Sequence, residues 1–380
     1  MARGVSLFAA LVALLAAAAL GGAATQSPRP PGSIVYSVPL GDGRSGLFVA
    51  RADGSGATRI TDGPDDFSPR WSPDGRRIVF VRSVAAGVTA IWVVDADGTE
   101  ARQLDVDHPY AEHPRWSPNG RWIAYQVQTS THVRTGLRAH TTFELWLVRP
   151  DGSGRRRLVP GPGDTVNENA LYSVATGAWA WSPGGGRIAF VGGSEGTERV
   201  RIVDVVTGKT RSRGPGWDVA WSPDGKRVAV TVAAVTASPE PECGTVWIVP
   251  RDRGKRRLLA RPPGDPTSVS GACDLWARWA PDGRSIAFVR SESEGLRRRL
   301  MIARPDGSHV QRVRPLPLVQ YRWPATCGRL FEYASGYGSG WIVRPSARAA
   351  PRFVRLPVGG RPACDPDSEE PCASAGDWHC

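Results

Sequence analysis

The stretch Trp71-Ser72-Pro73-Asp74-Gly75 is the first of five near-copies of one pentapeptide in this chain. The other copies begin at Trp116, Trp181, Trp221 and Trp279. The motif returns at intervals of roughly 40 to 60 residues, a spacing typical of repeat architectures. The pentapeptide therefore predicts a fold made of several copies of one small structural unit.

Each copy is followed by the same succession of signals. A Pro-Asp-Gly turn leads into a short apolar strand, and a second strand with an aromatic residue follows, as in Ile91-Trp92-Val93-Val94. A second Gly turn and a short last strand complete the unit. Small four-stranded units of this kind stack to bury their faces, and closing the stack into a ring removes most exposed edges. We predict an all-β chain that forms a single β-propeller of four-stranded blades.

The number of blades depends on the two ends of the chain. Seven sets of the last three strands can be traced, and the set that starts at Ser33 has no first strand of its own. A C-terminal strand over residues 375–379 would supply it and place Trp378 at the repeated Trp position. We therefore favour seven blades closed by the tail. Six blades with an ill-fitting end remain the alternative.

These residues also carry a family resemblance. Trp-Ser-Pro-Asp-Gly followed by a strand, a Trp and an Asp-Gly turn resembles the TolB-type, WD40-like propeller repeat, over Ser33 to about Pro357. The resemblance implies protein binding at the cell envelope. The propellers of prolyl oligopeptidase relatives carry a similar repeat, but those enzymes also need an α/β-hydrolase domain. One Gly-x-Ser-x-Gly string occurs, from Gly192 to Gly196, but it lies at the end of a repeat strand, and the propeller repeat leaves no room for a hydrolase domain around it.

The N-terminal segment has the pattern of a secretory signal peptide. Arg3 precedes an apolar run from Val5 to Leu20, and small residues up to Ala24 follow. A membrane anchor is the weaker alternative, because the run is short for a bilayer span. We assign residues 1–24 to the signal peptide, 25–32 to a linker, 33–357 to the propeller and 358–380 to a Cys-rich tail. The mature chain is expected to be secreted or held in the cell envelope, without a transmembrane span.

Export makes disulfides the default state of the six cysteines. None of them lies in a CxxC pair, so zinc is the weaker alternative. From the predicted topology we expect three pairs: Cys243 with Cys273, Cys327 with Cys380, and Cys364 with Cys372. The second pair would fasten the ring.

The formal net charge is +12, from 48 basic and 36 acidic residues. The basic residues are scattered over many turns, so solvated strand ends explain most of them. An anionic glycan, cell-wall polymer or phospholipid surface is the partner that a basic exported protein would meet. Nucleic acid is disfavoured by the predicted compartment.

The recurrent motif residues have structural explanations. The Trp would fill space between adjacent blades, and Pro-Asp-Gly would form the tight turn after the first strand. A calcium-loop interpretation is disfavoured, because most of these turns carry one acid or none. The structural set is Trp71, Asp74, Gly75, Trp116, Trp181, Trp221, Asp224, Trp279, Asp282 and Trp323.

Loop length points to one face of the disc as the working face. We call the strands of each blade A to D in chain order. The A–B and C–D turns share one face and are short, whereas the long insertions (residues 128–143, 160–176, 233–244 and 260–272) lie on the other, the loop face. Candidate binding residues there are Glu112, His113, His132, Arg134, Arg138, Asp164, Asn167, Glu168, Tyr172, Asp218 and Asp274.

No catalytic set can be assigned among these residues, so we expect a protein-binding platform with no enzymatic activity and no cofactor. The expected partner is an envelope or extracellular protein, with an anionic glycan as another candidate. Two alternatives stay open. One is a metal-assisted polysaccharide lyase, which would require His113 and His132 to meet at a metal, and the other is a carbohydrate-binding propeller.

Overall fold

The computed structural model describes residues 33–41, 44–51, 55–132, 140–159, 166–167, 179–193, 198–233, 244–263, 272–292, 297–312, 320–322, 330–334, 339–343, 352–355 and 377–379. Within these ranges every regular element is a β-strand, and paired strands run antiparallel. The all-β prediction is confirmed. The described residues include no helix long and apolar enough to cross a membrane.

Most strands of the described chain belong to four-stranded sheets. In spatial order these sheets are β29 (Asp377–His379), β1 (Ser33–Gly41), β2 (Arg44–Arg51), β3 (Thr58–Arg59); β4 (Asp66–Trp71), β5 (Arg77–Ala85), β6 (Val88–Asp95), β7 (Arg102–Gln103); β17 (Asp218–Trp221), β18 (Arg227–Ala233), β19 (Gly244–Pro250), β20 (Arg257–Leu258); β21 (Cys273–Trp279), β22 (Ile286–Glu292), β23 (Arg297–Ala303), β24 (Gln311–Arg312); and β25 (Gln320–Arg322), β26 (Leu330–Ala334), β27 (Ser339–Val343), β28 (Arg352–Arg355).

A nine-stranded sheet joins two further sets. Its strands are β8 (Ala111–Trp116), β9 (Ile123–His132), β10 (His140–Val148), β11 (Arg156–Arg157), β12 (Val166–Asn167), β13 (Trp179–Trp181), β14 (Arg187–Gly192), β15 (Arg199–Asp204) and β16 (Thr210–Pro215). The connecting strand is β12, which pairs with Thr142 and Phe143 of β10 and with Gly192 of β14. A strand inside a segment predicted as a loop thus bridges two neighbouring sets.

Where side chains are described, the second strand of a set is more buried than the sequence indicated. Alternation predicted half-buried strands, but Ile78, Val79, Phe80 and Val81 of β5 are all fully buried. Two apolar clusters explain this for β5, because each of them draws residues from two neighbouring sets. A sheet covered on both faces needs a continuous apolar run instead of an alternating one.

The chain ends meet in one sheet. Strand β29 pairs with β1 through Ser33 with His379, Ile34 with Trp378 and Val35 with Asp377. It also lies against β4, the first strand of the next set. The C-terminal strand therefore takes the place of the first strand that the N-terminal set lacks.

The A strands β4, β8, β13, β17 and β21 each end on a motif Trp. Consecutive members of this series lie against each other, as β4 does with β8 and β17 with both β13 and β21. Because successive strands are antiparallel, the A–B and C–D turns emerge at one end of every sheet and the other connections at the opposite end. The A strands therefore position the start of their sequence at the loop face.

Candidate binding face

The motif turn is held together by its own side chains. Ser72 Oγ donates to Asp74 Oδ1 at 2.5 Å and accepts from the backbone N–H of Arg77 at 2.9 Å. Asp74 Oδ1 also accepts from the N–H of Arg76 at 3.1 Å. Gly75 has a φ of 66°, in the left-handed region that a glycine adopts without strain. These contacts give every polar residue of the motif a structural role within the turn.

The motif Trp connects adjacent sets. Trp181 Nε1 donates to the carbonyl oxygen of Arg115 at 3.2 Å, and Trp221 Nε1 donates to that of Ala180 at 3.1 Å. In both cases the acceptor precedes the motif Trp of the neighbouring A strand. All five described motif tryptophans are buried. The indole therefore fills the space between sets and, at these two positions, fixes their spacing by a hydrogen bond.

Three A strands carry a bulge at the same place, three residues before the motif Trp. Ser68, His113 and Trp276 have φ values of 53°, 51° and 54°, and the pairing with the next strand shifts there. Residues other than glycine rarely occupy this region, because Cβ crowds the following carbonyl group. Strained positions of this kind concentrate at functional sites, and β17, which has no shift, shows that the fold does not require the bulge.

His113 combines this strain with an unusual electrostatic setting. Burial lowers its pKa, and the guanidinium groups of Arg115 and Arg70 lower it further, to about 4. Its Nε2 lies 3.8 Å from Oε2 of Glu112, whose own pKa is raised by burial. The His113 side chain nevertheless retains 37% of its exposed area. It is therefore a neutral imidazole at physiological pH that a ligand can reach.

Tyr110 extends this group towards the loop face. It is 42% exposed, has a φ of 65° and comes directly before β8. Its carbonyl oxygen accepts from the N–H of Gln128 at 3.2 Å, which fixes the backbone to the start of a long insertion. A bulky residue in the left-handed region lowers the stability of the fold, and a partly exposed ring does little to offset that loss by burial.

Buried side-chain contacts hold the loop before Tyr110 in place. Asp105 is fully buried, and its Oδ2 lies 2.8 Å from Nδ1 of His108. The His108 ring packs on Trp146 at 4.2 Å between centroids, and Arg155 pairs with Asp105 and Asp107. These contacts hold the loop while Val106 and Tyr110 remain exposed. Exposed aromatic and apolar side chains on a fixed loop are typical of protein-binding surfaces.

Two candidate carboxylates take part in internal ion pairs. Asp218 is buried and binds Arg278 of the next sheet through both oxygens, at 2.8 and 3.1 Å. Asp274 is buried and binds Arg290 at 2.7 and 2.8 Å. Burial raises the pKa of Asp274, and the Arg290 guanidinium opposes that rise. Both groups contact protein cations, whereas Glu112 and His113 are partly open to solvent.

Comparison with known proteins extends this picture. A family model described as the TolB beta propeller domain matches residues 16–149, beginning within the segment predicted as a signal peptide. The protein TolB homolog of Chlorobium luteolum is 30% identical over 183 residues, which cover 47% of this chain and 36% of that protein. The matched part of the chain is similar to the TolB-like β-propeller family. The matched part spans about a third of that relative and 12% of two further TolB proteins.

Solved structures show the same fold. The β-propeller domain of the Trilobed protease from Pyrococcus furiosus aligns with a TM-score of 0.55 at 13% identity, over 85% of this chain and 94% of that one. The oligogalacturonate lyase of Vibrio parahaemolyticus aligns with a TM-score of 0.55 at 12% identity, over 85% of both chains. At such identity the likeness concerns architecture, and function has to be argued from the site.

The structure describes the remaining candidate residues only in part. His132 and Asn167 belong to the described backbone of β9 and β12. Arg134, Arg138, Asp164, Glu168, Tyr172 and the motif residue Trp323 lie outside the described residues, as do Cys243, Cys327, Cys364, Cys372 and Cys380. Cys273 is buried at the start of β21 and is not a free thiol. No cluster of three or more His, Cys, Asp or Glu that could hold a metal occurs among the described residues.

Sequence reasoning did not select Tyr110, Arg70 or Arg115. Arg70 and Arg115 directly precede a motif Trp, and this shared position is a signal that the sequence did offer. Tyr110 had no such signal, because its exposure and backbone conformation depend on the anchored loop before it. The described part of the site is thus centred on the junction of β4 and β8.

Proposed function

We propose that this chain is an exported, non-catalytic platform that binds a protein of the cell envelope through its loop face. The observation that carries the proposal is the pair of strained residues Tyr110 and His113, both accessible to solvent at the start of β8. The TolB relatives make an envelope protein the preferred class of partner. The predicted signal peptide and disulfides belong to this proposal.

The platform itself would be a closed ring of seven blades. The four-stranded sheets, together with the two sets that β12 joins, supply the blades. The pairing of β29 with β1 and its contact with β4 support closure by the C-terminal strand. A closed ring holds the A strands in fixed relative positions, which a binding site shared between β4 and β8 requires.

The chemistry of the site favours an amphipathic ligand. Tyr110 offers apolar area with a hydroxyl group, and neutral His113 offers one donor and one acceptor. Arg70 and Arg115 add positive potential near the imidazole. A polypeptide segment with an apolar residue beside a backbone carbonyl or carboxylate would satisfy these groups together.

The experiment that tests the proposal is an affinity capture from an envelope fraction with the full chain as bait. We expect Tyr110→Gly to lose the partner while the fold gains stability, because glycine relieves the positive φ. His113→Asn should weaken capture by at least tenfold. Val310→Thr, an exposed position beside a C–D turn on the opposite face, is the matched control and should bind like the parent.

Each result has one interpretation. A partner recovered equally by all variants would contradict the site, and no protein recovered by any folded variant would contradict the platform. Glycan cleavage that depends on added metal would support the lyase alternative. Glycan binding without cleavage would support the carbohydrate-binding alternative.

A further inference from the structure

A second surface, opposite the loop face, carries concentrated positive charge. We call residues 204–213 and 251–257 the basic turn surface. They form the C–D turns of two neighbouring sets together with β16 and the start of β20. These two ranges contain eight Lys or Arg residues and two Asp residues. Arg213 Nη1 joins the ranges by donating to the carbonyl oxygen of Asp252 at 2.6 Å.

Both carboxylates are already used within the protein. Asp204 Oδ1 accepts from the N–H groups of Val206 and Thr207 at 3.1 and 3.0 Å. Asp252 Oδ2 is held by Arg251 through two contacts of 2.9 and 2.6 Å. Asp224 near Arg251 and Asp306 near Arg257 add two further acids, so the basic turn surface keeps a net positive charge.

Arg256 lies over the Trp247 ring and Arg257 donates to the carbonyl oxygen of Asp306, whereas two other cations lack such contacts. Arg253 and Lys255 are exposed, and neither forms an ion pair or hydrogen bond with another described residue. Burial lowers the pKa of Arg213, and Arg211 lowers it further while Asp252 opposes the change. The positive charges are therefore crowded at this surface instead of being neutralised in place.

An exposed apolar side chain accompanies these charges. Val206 is 84% exposed at the tip of its C–D turn, three residues before Lys209. The turn backbone is rigid, because Gly208 N–H donates to the Asp204 carbonyl oxygen at 2.8 Å. The face around it consists of short turns, so a flat partner can approach without meeting a long insertion.

We propose that the basic turn surface binds an anionic phospholipid membrane, with Val206 entering the interface. Cations near an anionic bilayer and an inserted apolar side chain act together in peripheral membrane binding. A soluble polyanion would use the charges but gain nothing from Val206. This surface lies opposite the proposed protein site, so its occupation leaves Tyr110 and His113 accessible.

Co-sedimentation of the full chain with vesicles tests the proposal. We expect binding to vesicles of phosphatidylcholine with phosphatidylglycerol, and none to phosphatidylcholine alone. Arg253→Gln with Lys255→Gln should weaken vesicle binding roughly 25-fold, since each cation near an anionic surface strengthens binding about fivefold. Arg76→Gln with Arg121→Gln removes the same charge from exposed positions in other sets and should change binding less than about threefold.

Val206 separates the lipid from other anions. Val206→Ser should weaken vesicle binding about three- to tenfold and leave binding to dextran sulfate unchanged. Equal loss in the two charge-removed variants would overturn the assignment to this surface. Binding to dextran sulfate without vesicle binding would overturn the assignment to lipid.

Discussion

The buried ion pair between Asp274 and Arg290 allows a quantitative test of how the A strands are stabilised. Asp274 is 1% exposed and Arg290 binds it through two nitrogens. Replacing Asp274 by Ala would leave a buried guanidinium group without its partner. Removal of one member of such a pair costs about 3–5 kcal/mol of unfolding free energy.

The fold itself contains an apolar version of this pair. The position five residues before the motif Trp faces an arginine in two strands, Arg290 opposite β21 and Arg82 opposite β4. In β8 the same position is Ala111, and the residue that it faces is Val127. The scaffold thus accepts two apolar residues at the same paired positions. We expect the double variant Asp274→Ala with Arg290→Met to lie within about 2 kcal/mol of the parent, because no buried charge remains unpaired.

Urea unfolding followed by tryptophan fluorescence and circular dichroism measures both variants. The decisive result is the order of the unfolding free energies, because the single variant should be less stable than the double variant. A single variant that loses less than about 1 kcal/mol, or a double variant that loses as much as the single one, would refute the argument.

Three further predictions follow from individual contacts. Ser222→Ala should lower the unfolding free energy by about 1–2 kcal/mol, since the N–H of Arg227 loses its side-chain acceptor. Ala280→Ser, at the one of the five pentapeptide copies without Ser, should raise the stability, and thermal unfolding compares the two variants. Trp221→Phe should lower the unfolding free energy by about 1–3 kcal/mol, because the indole N–H that donates to the Ala180 carbonyl oxygen is lost and the smaller ring leaves a cavity; unchanged stability in urea unfolding would contradict this. The unfolding free energy should fall as pH drops from 6.5 to about 4, because unfolded His113 takes up a proton that the folded state does not, and His113→Asn should flatten that part of the profile in urea titrations.

Much of the architecture could be predicted from the sequence because the repeat is local. The Pro-Asp-Gly turn is closed by contacts within a few residues, as between Ser72 and Asp74, so the pentapeptide alone specifies it. The strands that follow are apolar enough to identify. Their burial on both faces depends on neighbouring sets, which is why alternation underestimated it.

The site was harder to predict because it depends on contacts between sets. The low pKa of His113 arises from burial and from Arg70 on another strand, which sequence spacing does not show. The sequence makes Asp218 and Asp274 candidate binding residues of the loop face, but Arg278 and Arg290 meet them only in the folded sheets. Loop residues such as Tyr110 acquire exposure from the anchoring of Asp105, which no local pattern indicates.

The internal repeat offers its own comparison of equivalent positions. Three residues before the motif Trp, the same bulged conformation holds Ser68, His113 and Trp276 in three A strands. Since the three positions share one backbone conformation, that conformation does not dictate the side chain. The differences between the side chains reflect what each position contacts. Of these three, only His113 is an imidazole whose pKa is lowered by two guanidinium groups, with Glu112 beside it. A repeat that keeps its scaffold constant while one copy acquires this chemistry supports our proposal that a ligand binds at β8.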